Sequence, residues 1–274
     1  MSTDATPTPG GAAPWVNPIK ARLARGEYVV GMPVTSTSLD SAAVAARSGF
    51  DFLWVEMEHS PITLETLRNI VLATRGLPAV PIARVPGGET WMAKRVLDQG
   101  AHGVVFPFTS TPALAAQAAQ ACRYPPRGRR GSGSGLAEGT WPQVASYFDS
   151  ADAEVLVTVV IEDTEGLSHC EEIAAVDGVD VLFVGTSDLS FSMGYRGNMM
   201  HPEVLKAAAR VCEAARRNGK YCGRPVASPE SLQRFAAEGF QLFHAASDLT
   251  LFAEGAKAWL DPLGRATGGP RAAY

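Results

Sequence analysis

Two acidic residues each follow an apolar segment typical of a buried strand, and they are the first candidates for chemistry. Glu162 follows residues 155–161, and Asp188 follows residues 181–184 and a short polar run at 185–187. Alone, Glu162 could cap the helix that follows it, and Asp188 could be the N-cap of a short turn. They lie about one strand–helix unit apart, so the ends of neighbouring parallel strands would bring them together. Paired carboxylates of this kind suit a hard divalent cation, which prefers oxygen ligands.

Further ionisable side chains fall at the same edge of the predicted sheet. Glu56, Glu58 and His59 follow the second apolar segment, and Arg84 ends the third. Each has a structural alternative, since His59 could be a satisfied histidine and Arg84 could form an ion pair with Glu56 or Glu58. A fold gains no stability from gathering buried charges at one edge, because a buried charge without a partner is costly. Together the set therefore favours a catalytic site.

The chemistry that suits this set is the activation of an α-keto acid. A cation on two carboxylates keeps coordination positions open for the carboxylate and keto oxygens of the substrate, and it polarises the carbonyl group. Arg84 could stabilise an enolate, and His59 could move a proton directly or through water. Backbone N–H groups of Gly185, Thr186 and Ser187 could hold the substrate carboxylate, since small residues permit close approach. Such a site makes or breaks a carbon–carbon bond beside an α-keto acid.

Eight strand–helix units in strict alternation position these residues. The predicted strands span residues 28–32, 52–55, 81–83, 104–106, 155–161, 181–184, 221–225 and 240–244. The predicted helices include those at residues 140–150, 165–174 and 248–260. No linker-like stretch divides the units, and a length of 274 residues suits one barrel. We therefore predict an α/β fold with a single (β/α)8 TIM barrel. A doubly wound open sheet is the alternative, and it is disfavoured because no Gly-x-Gly-x-x-Gly follows the first strand.

The two ends and one internal loop depart from the repeating pattern. Residues 1–14 are rich in Ser, Thr, Pro, Gly and Ala, which predicts a mobile tail. The barrel domain is predicted to span residues 15–260 and to begin with a short helix at 17–25. Residues 261–274 are predicted to be a loosely ordered tail. Residues 123–135 predict a long loop of Gly, Arg, Pro and Ser, and such loops are often functional.

Composition limits the partners and the compartment. Hydrophobic residues make up 46% of the chain, and the net charge is −4 with no long basic run, which disfavours a nucleic-acid partner. No apolar run is long enough to span a membrane, and the first residues lack a signal-peptide pattern, so we expect a cytoplasmic protein. The four cysteines lack paired metal-ligand spacing and are expected to be reduced thiols.

Eight short motifs follow one another along nearly the whole of residues 16–260. They are Phe-Leu-Trp-Val-Glu-Met-Glu-His-Ser-Pro at 52–61, Arg-Val-Pro at 84–86, Leu-Asp-Gln-Gly at 97–100, Arg-Tyr-Pro-Pro-Arg-Gly-Arg-Arg-Gly at 123–131, Ile-Glu at 161–162, Gly-Val-Asp-Val-Leu-Phe-Val-Gly-Thr-Ser-Asp-Leu-Ser at 178–190, Met-Gly-Tyr-Arg-Gly-Asn at 193–198 and His-Pro at 201–202. Each motif is weak alone, but their order and spacing are specific. In these motifs the chain resembles the HpcH/HpaI class II pyruvate aldolases, which include 4-hydroxy-2-oxoheptanedioate aldolase and 2-dehydro-3-deoxyglucarate aldolase.

The resemblance implies a barrel of the phosphoenolpyruvate/pyruvate-binding type. The implied reaction is reversible cleavage of a 4-hydroxy-2-oxo acid to pyruvate, or a related 2-oxo acid, and an aldehyde. Glu162 and Asp188 would bind Mg²⁺, Mn²⁺ or Co²⁺. His59 would be the acid/base, Asp98 would orient it and raise its basicity, and Arg84 would stabilise the enolate. The resemblance also implies a homohexamer, a trimer of dimers, with the last helix exchanged between neighbouring barrels.

The chain departs from the family's pattern around the predicted substrate pocket. Glu56 stands where Asp is common, and Thr186 stands where Pro is usual. Val160 replaces a Gln that helps to position the substrate, and an apolar side chain cannot donate that hydrogen bond. Residues 87–89, Gly-Gly-Glu, replace Trp-Asn-Asp. The metal and acid/base set is intact, so we expect lyase chemistry to be kept in an altered substrate pocket.

Two further departures lie on the last strands. Arg224 and His244 stand where the family is apolar or small, and they either read an anionic group or face the helices. The candidate specificity residues are therefore Glu56, Glu58, Val160, Arg224 and His244. The changed pocket motivates a second hypothesis, a Claisen-type enzyme that condenses an acyl-CoA with a keto acid or cleaves a malyl-type thioester. A third hypothesis is a non-catalytic protein that binds keto acids.

Overall fold

Eight parallel strands close into a barrel in which each strand pairs with the next and the last pairs with the first. The structure is a computed structural model that describes residues 15–141 and 146–265. The predicted tail at 1–14 and most of the predicted C-terminal tail lie outside the described residues. The strands are β1 (Val29–Val34), β2 (Phe52–Glu56), β3 (Val80–Arg84), β4 (Gly103–Phe106), β5 (Leu156–Ile161), β6 (Val181–Val184), β7 (Tyr221–Pro225) and β8 (Leu242–His244).

Helices surround the barrel in the order that the repeating pattern predicts. They are α1 (Pro18–Ala24), α2 (Leu39–Arg47), α3 (Leu64–Ala73), α4 (Thr90–Asp98), α5 (Pro112–Ala121), α6 (Gly135–Glu138), α7 (Tyr147–Glu154), α8 (Thr164–Ser168), α9 (Cys170–Ala174), α10 (Thr186–Ser192), α11 (Pro202–Arg217), α12 (Pro229–Ala237) and α13 (Asp248–Leu260). Ser38, Thr63 and Ser228 begin α2, α3 and α12 as N-caps whose hydroxyl groups accept a backbone N–H. Each such cap contributes about 1 kcal/mol.

The helices differ from the prediction in three places. The predicted helix at 165–174 divides into α8 and α9, which meet at His169. Near the predicted helix at 140–150, α6 ends before residue 140 and α7 begins at Tyr147. Residues 142–145 of that predicted helix lie outside the described part. The helix α10 was not predicted from the sequence. In addition, Asp261–Leu263 form a 3₁₀ turn where a loosely ordered tail was predicted.

The alternation of strand side chains decides which polar residues enter the barrel. Trp54, Ile82 and Val160 belong to the apolar cluster that fills the interior. Side chains two positions apart on a strand share a face. The next inward positions, at the carboxyl ends of β2, β3 and β5, are therefore Glu56, Arg84 and Glu162.

The opposite end of the barrel is closed by α1 and a buried aromatic stack. The Asn17 side-chain amide donates to the backbone oxygens of His102 (3.0 Å) and Glu154 (2.9 Å). The His102 ring stacks on Trp141, with ring centroids 4.9 Å apart and planes at 4°. Burial lowers the pKa of His102 to about 3, so this histidine is neutral and structural. It lies at the amino ends of the strands, far from the predicted site.

Among the described residues, the final helix is anchored at its start. The Asp248 carboxylate accepts hydrogen bonds from the backbone N–H groups of Thr35 (2.9 Å) and Ser36 (3.2 Å). Beyond that point the helix presents large apolar side chains to solvent, with Phe252 78% and Trp259 79% exposed. None of the helices in the described ranges has the length and hydropathy needed to cross a bilayer.

Candidate active site

Glu162 is a buried carboxylate at the carboxyl end of the barrel, and the residue is only 2% exposed. Its Oε1 accepts a hydrogen bond from the backbone N–H of Phe108 at 2.7 Å. Burial raises the pKa of Glu162 to about 7; the Phe108 bond and Arg84 oppose the shift, and the carboxylates of Glu58 and Asp188 add to it. Glu162 thus gains a proton easily unless a cation compensates its charge.

Asp188 lies in the first turn of α10, not at its N-cap. Gly185 holds the cap position, and its N–H donates to the backbone oxygen of Ile161 at 3.0 Å. The prediction that Gly185 donates to a substrate carboxylate is therefore wrong, because strand pairing already uses its N–H. Thr186 and Ser187 are the first two helical residues, whose N–H groups have no acceptor within the helix.

Gly185 instead makes room for Glu162. A Cβ atom added at position 185 would lie 2.6 Å from Glu162 Cβ and 2.7 Å from Glu162 Oε2. No side chain fits at such distances without displacing the buried carboxylate. The glycine that ends β6 is thus required by the packing of Glu162 on the neighbouring strand.

Arg84 forms ion pairs with two carboxylates that follow β2. Its Nε lies 2.6 Å from Glu56 Oε2, and its Nη1 lies 3.1 Å from Glu58 Oε2. Glu56 also accepts backbone N–H groups from Glu58 (2.8 Å) and His59 (3.0 Å) and the indole N–H of Trp54 (3.2 Å). These bonds fix the turn after β2, and Glu56 thereby positions Arg84 at the mouth of the barrel.

His59 stands at the edge of this cluster with a side chain that is 52% exposed. Its Nε2 lies 3.7 Å from Glu58 Oε2, which is beyond hydrogen-bond distance. The imidazole therefore has room to move towards a ligand above the barrel. The structure thus gathers His59, Arg84, Glu58, Glu162 and Asp188 at one end of the barrel.

Asp98 lies at the opposite end of the same barrel. It is the last residue of α4, which starts beside the mouth and runs back towards the amino ends of the strands. Its Oδ1 accepts a bond of 3.0 Å from Arg130 Nη2, and the same nitrogen donates to the Tyr147 hydroxyl at 3.1 Å. Within one chain the length of α4 separates Asp98 from His59. The orientation of His59 by Asp98 therefore stays a prediction, and it requires an Asp98 from another copy.

Val160 and His244 both face the barrel interior. Val160 lies directly below Glu162 in the apolar cluster and is 1% exposed. The His244 ring packs edge-on against Trp54, with ring centroids 5.2 Å apart. Burial and the nearby Arg84 lower the pKa of His244 to about 4, so its ring is neutral at pH 7. His244 can therefore offer a hydrogen bond at the floor of the site but not a positive charge.

Arg224 does not face the site, which corrects its assignment as a candidate specificity residue. Its Cζ lies 3.4 Å from the centre of the Phe235 ring and 5.3 Å from that of Phe240, in the layer between β7 and α12. The adjacent Gly223 faces inward, against Phe183, so alternation sends Arg224 outward. Of the two alternatives, facing the helices is the one observed.

Replacing Arg224 with methionine should leave substrate preference and turnover within about twofold of the original chain. Burial lowers the pKa of Arg224 to about 10, so the charge is desolvated, and an apolar side chain of similar length keeps the contacts with the two phenylalanines. Steady-state kinetics with anionic and neutral aldehydes checks this expectation. A selective loss with the anionic aldehydes would show that Arg224 reads the substrate.

The comparison with known proteins matches this chain over almost all of the barrel. The family described as HpcH/HpaI aldolase/citrate lyase matches residues 30–255. The chain belongs to the HpcH/HpaI aldolase/citrate lyase family. The predicted family, the barrel fold and the assignment to the aldolases are confirmed.

Individual relatives are similar to this chain over nearly their whole length. The hydroxypyruvate/pyruvate aldolase of Roseobacter denitrificans is 34% identical over 237 residues, which cover 86% of this chain and 93% of that one. The 2-keto-3-deoxy-L-rhamnonate aldolase of Shigella sonnei is 33% identical over 256 residues, with coverages of 93% and 96%. A crystal structure of an HpcH/HpaI aldolase/citrate lyase family protein from Burkholderia cenocepacia superposes with a TM-score of 0.84 at 31% identity and covers 91% of this chain and 100% of that one.

Two residues that were not predicted contact predicted site residues, Phe108 at the mouth of the barrel and Arg130 at its far end. Phe108 donates to Glu162 from a backbone with φ of 44°, a conformation that a phenylalanine rarely adopts. No pattern in the sequence signals it. Arg130, with a fully buried side chain, fixes Asp98. Its place in the Arg-rich loop was a usable signal, because that loop was singled out as functional.

Proposed function

We propose that this chain is a divalent-metal-dependent aldolase that reversibly cleaves a 4-hydroxy-2-oxo acid to pyruvate, or a related 2-oxo acid, and an aldehyde. The observation that carries the proposal is the buried Glu162 carboxylate beside Asp188 at the mouth of the barrel, facing the Arg84 ion-pair cluster. The names of the relatives, one of which is a hydroxypyruvate/pyruvate aldolase, support pyruvate and hydroxypyruvate as the 2-oxo acids.

The donor set of the mouth fits a hard cation. Burial and nearby carboxylates raise the pKa of Glu162, and a dication would relieve both effects. Glu162 and Asp188 would supply two oxygen ligands to such a cation and would leave its other positions open for substrate oxygens. A bound Mg²⁺, Mn²⁺ or Co²⁺ would act as a Lewis acid on the keto group.

The chain's own residues supply charge, orientation and proton transfer. Arg84 is held by Glu56 and Glu58, and its positive charge stabilises negative charge that develops on the keto oxygen. His59 accepts the proton of the 4-hydroxyl group during cleavage and returns it during condensation. The N–H groups of Thr186 and Ser187, at the start of α10, bind the carboxylate of the 2-oxo acid.

Oligomerisation is the second part of the proposal. The exposed apolar face of α13, with Phe252 and Trp259, supports packing against a neighbouring copy, and a trimer of dimers follows from the family resemblance. Asp98 reaches a His59 only if the His59 belongs to another copy. A mixture of His59→Ala and Asp98→Asn proteins should then regain activity that neither has alone. The sedimentation coefficient reports the assembly independently.

The proposed activity is tested with a panel of aldehydes and three nucleophile donors, pyruvate, hydroxypyruvate and oxaloacetate, each with Mg²⁺, Mn²⁺ or Co²⁺ added to chelator-treated protein. Carbon–carbon bond formation that depends on the metal supports the proposal. A lysine adduct trapped by borohydride would contradict it, because a Schiff base replaces the metal. Release of free thiol from acetyl-CoA with a keto acid would instead favour the Claisen alternative. Metal and pyruvate binding without turnover would favour a binding protein.

A further inference from the structure

His244 is a polar side chain at the floor of the mouth, and the proposed reaction gives it no role. It ends β8, and its ring points into the barrel because Leu242, two positions earlier, belongs to the apolar interior. The residue is only partly buried. Its ring makes no hydrogen bond to another described residue, and neither ring nitrogen is a buried atom without a partner. The ring therefore offers a nitrogen to the space above the floor.

The indole ring of Trp54 forms the apolar floor beside which His244 and Arg84 both lie. The centre of the His244 ring is 5.2 Å from the centre of the Trp54 ring, and the Arg84 Cζ atom is 5.9 Å from it. Phe183 on β6 packs against the same indole, with ring centres 4.9 Å apart. The indole N–H is already bound to Glu56. A small ligand that rests on this floor therefore has Arg84 on one side and His244 on another.

The order of the strands indicates which part of a 2-oxo acid faces His244. In the proposed function the carboxylate and keto oxygens of the acid lie near Glu162 and Asp188, beyond the ends of β5 and β6. Strand β8 lies two strands beyond β6 and pairs with β1. The third carbon of the acid is bonded to the keto carbon and points away from those oxygens. It therefore points to the side of the mouth that β8, β1 and β2 form.

We infer that His244 is a specificity residue that binds the hydroxyl group on the third carbon of hydroxypyruvate, so that the site favours hydroxypyruvate over pyruvate. The inference rests on the proposed aldolase function and names the 2-oxo acid that this function prefers. A hydroxyl group donates and accepts hydrogen bonds, as a neutral imidazole does, whereas the methyl group of pyruvate does neither. A site that binds a hydroxyl group selects against an analogue without it, because its own polar atom then loses a partner.

The charges around His244 favour a hydroxyl group over the carboxylate that oxaloacetate carries on its third carbon. Burial and Arg84 lower the pKa of His244 to about 4, and Glu56 opposes the shift. The ring is therefore neutral at pH 7 and has no charge with which to attract an anion. The charge of Arg84 is already paired with Glu56 and Glu58. The floor beside His244 thus suits an uncharged polar group.

The test is His244→Phe, which keeps an aromatic ring against Trp54 and removes both nitrogens. With one fixed aldehyde and Mg²⁺, we expect kcat/KM for hydroxypyruvate to fall about thirtyfold and kcat/KM for pyruvate to stay within about threefold. His244→Gln has an amide that donates and accepts, so its loss with hydroxypyruvate should stay below about fivefold. His169→Gln, which removes an exposed ion pair with Glu172, is the matched control and should change neither value.

Binding in the absence of an aldehyde gives a second readout that needs no turnover. Calorimetric titration of the Mg²⁺-loaded original chain should show a Kd for hydroxypyruvate about tenfold lower than that for pyruvate. In His244→Phe the two dissociation constants should become equal, because neither acid then has a partner at this position for its third carbon.

Three results would overturn the inference while the proposed function stands. One is an unchanged ratio of the two kcat/KM values in His244→Phe. Another is an equal loss with both acids, because His244 would then only support the fold of the site. The third is a selective loss with oxaloacetate, because His244 would then bind an anion. If none of the three acids binds to the Mg²⁺-loaded original chain, the proposed function itself fails, and the inference fails with it.

Discussion

Replacing Arg84 with alanine is expected to lower kcat by about two to three orders of magnitude, the usual cost of removing a group that stabilises charge in a transition state. The variant also leaves the carboxylates of Glu56 and Glu58 without the guanidinium group that pairs with them. Both carboxylates are largely buried, with side chains 4% and 10% exposed, so the folded state should lose about 3–5 kcal/mol. Steady-state kinetics and urea unfolding measure the two effects separately.

Arg84→Lys is the control that separates catalysis from folding. A lysine keeps the positive charge between the two carboxylates and should retain most of the stability. It loses the planar fork of donors, so it cannot hold Glu56 and Glu58 while also facing the keto oxygen. We therefore expect kcat to remain at least about tenfold low. Activity within threefold of the original chain in both variants would remove Arg84 from the mechanism.

Metal-free protein should become less stable as the pH rises through neutrality, and Glu162 is the cause. Its pKa is raised from 4.5 to about 7, chiefly by burial, so the folded state retains a proton that the unfolded state has released. The contribution of this bound proton to the free energy of unfolding is complete below the pKa of Glu162 in the unfolded state. It is lost as the pH rises through the pKa of Glu162 in the folded state. The loss should reach about 3 kcal/mol by about pH 8.

Glu162→Gln is the matched variant for this prediction. Its amide oxygen still accepts the Phe108 N–H, but it does not titrate. In chelator, urea unfolding should show that the original chain loses stability relative to Glu162→Gln as the pH rises from about 5 to about 8. Added Mg²⁺ should restore the free energy of unfolding of the original chain at high pH. If the free energies of unfolding of the two proteins change in parallel with pH, burial does not raise the pKa of Glu162.

The sequence predicted the barrel well because the fold depends on apolar periodicity, which is local. The strand at Val181–Val184 and the helix at Asp248–Leu260 have the predicted bounds. Parallel strand ends also meet at one edge, so gathering Glu162, Asp188 and Arg84 there followed from strand order alone. His102 was not anticipated, because a single polar residue in an apolar context carries no pattern.

The errors at the site have a common physical cause, which is the direction of a side chain or the use of a backbone group. Arg224 lies on a strand as predicted. Neighbouring positions on a strand face opposite sides, so the side chain after the inward-facing Gly223 points to the helix layer. Gly185 lies beside the site, yet pairing with Ile161 uses its N–H. The role of Asp98 comes from the resemblance and stays a prediction, because a motif gives a residue's position in the chain but not its distance from the His59 of another copy.

The central claim is that this barrel activates a 2-oxo acid with a cation on Glu162 and Asp188. Exchange of the pyruvate methyl protons in D₂O, followed by proton NMR, tests it without knowledge of the aldehyde. We predict no exchange with chelator-treated protein, exchange after Mg²⁺ is added, and none with Mg²⁺ in Glu162→Gln or Asp188→Asn. Exchange that persists in chelator, or that both variants retain, would contradict the claim.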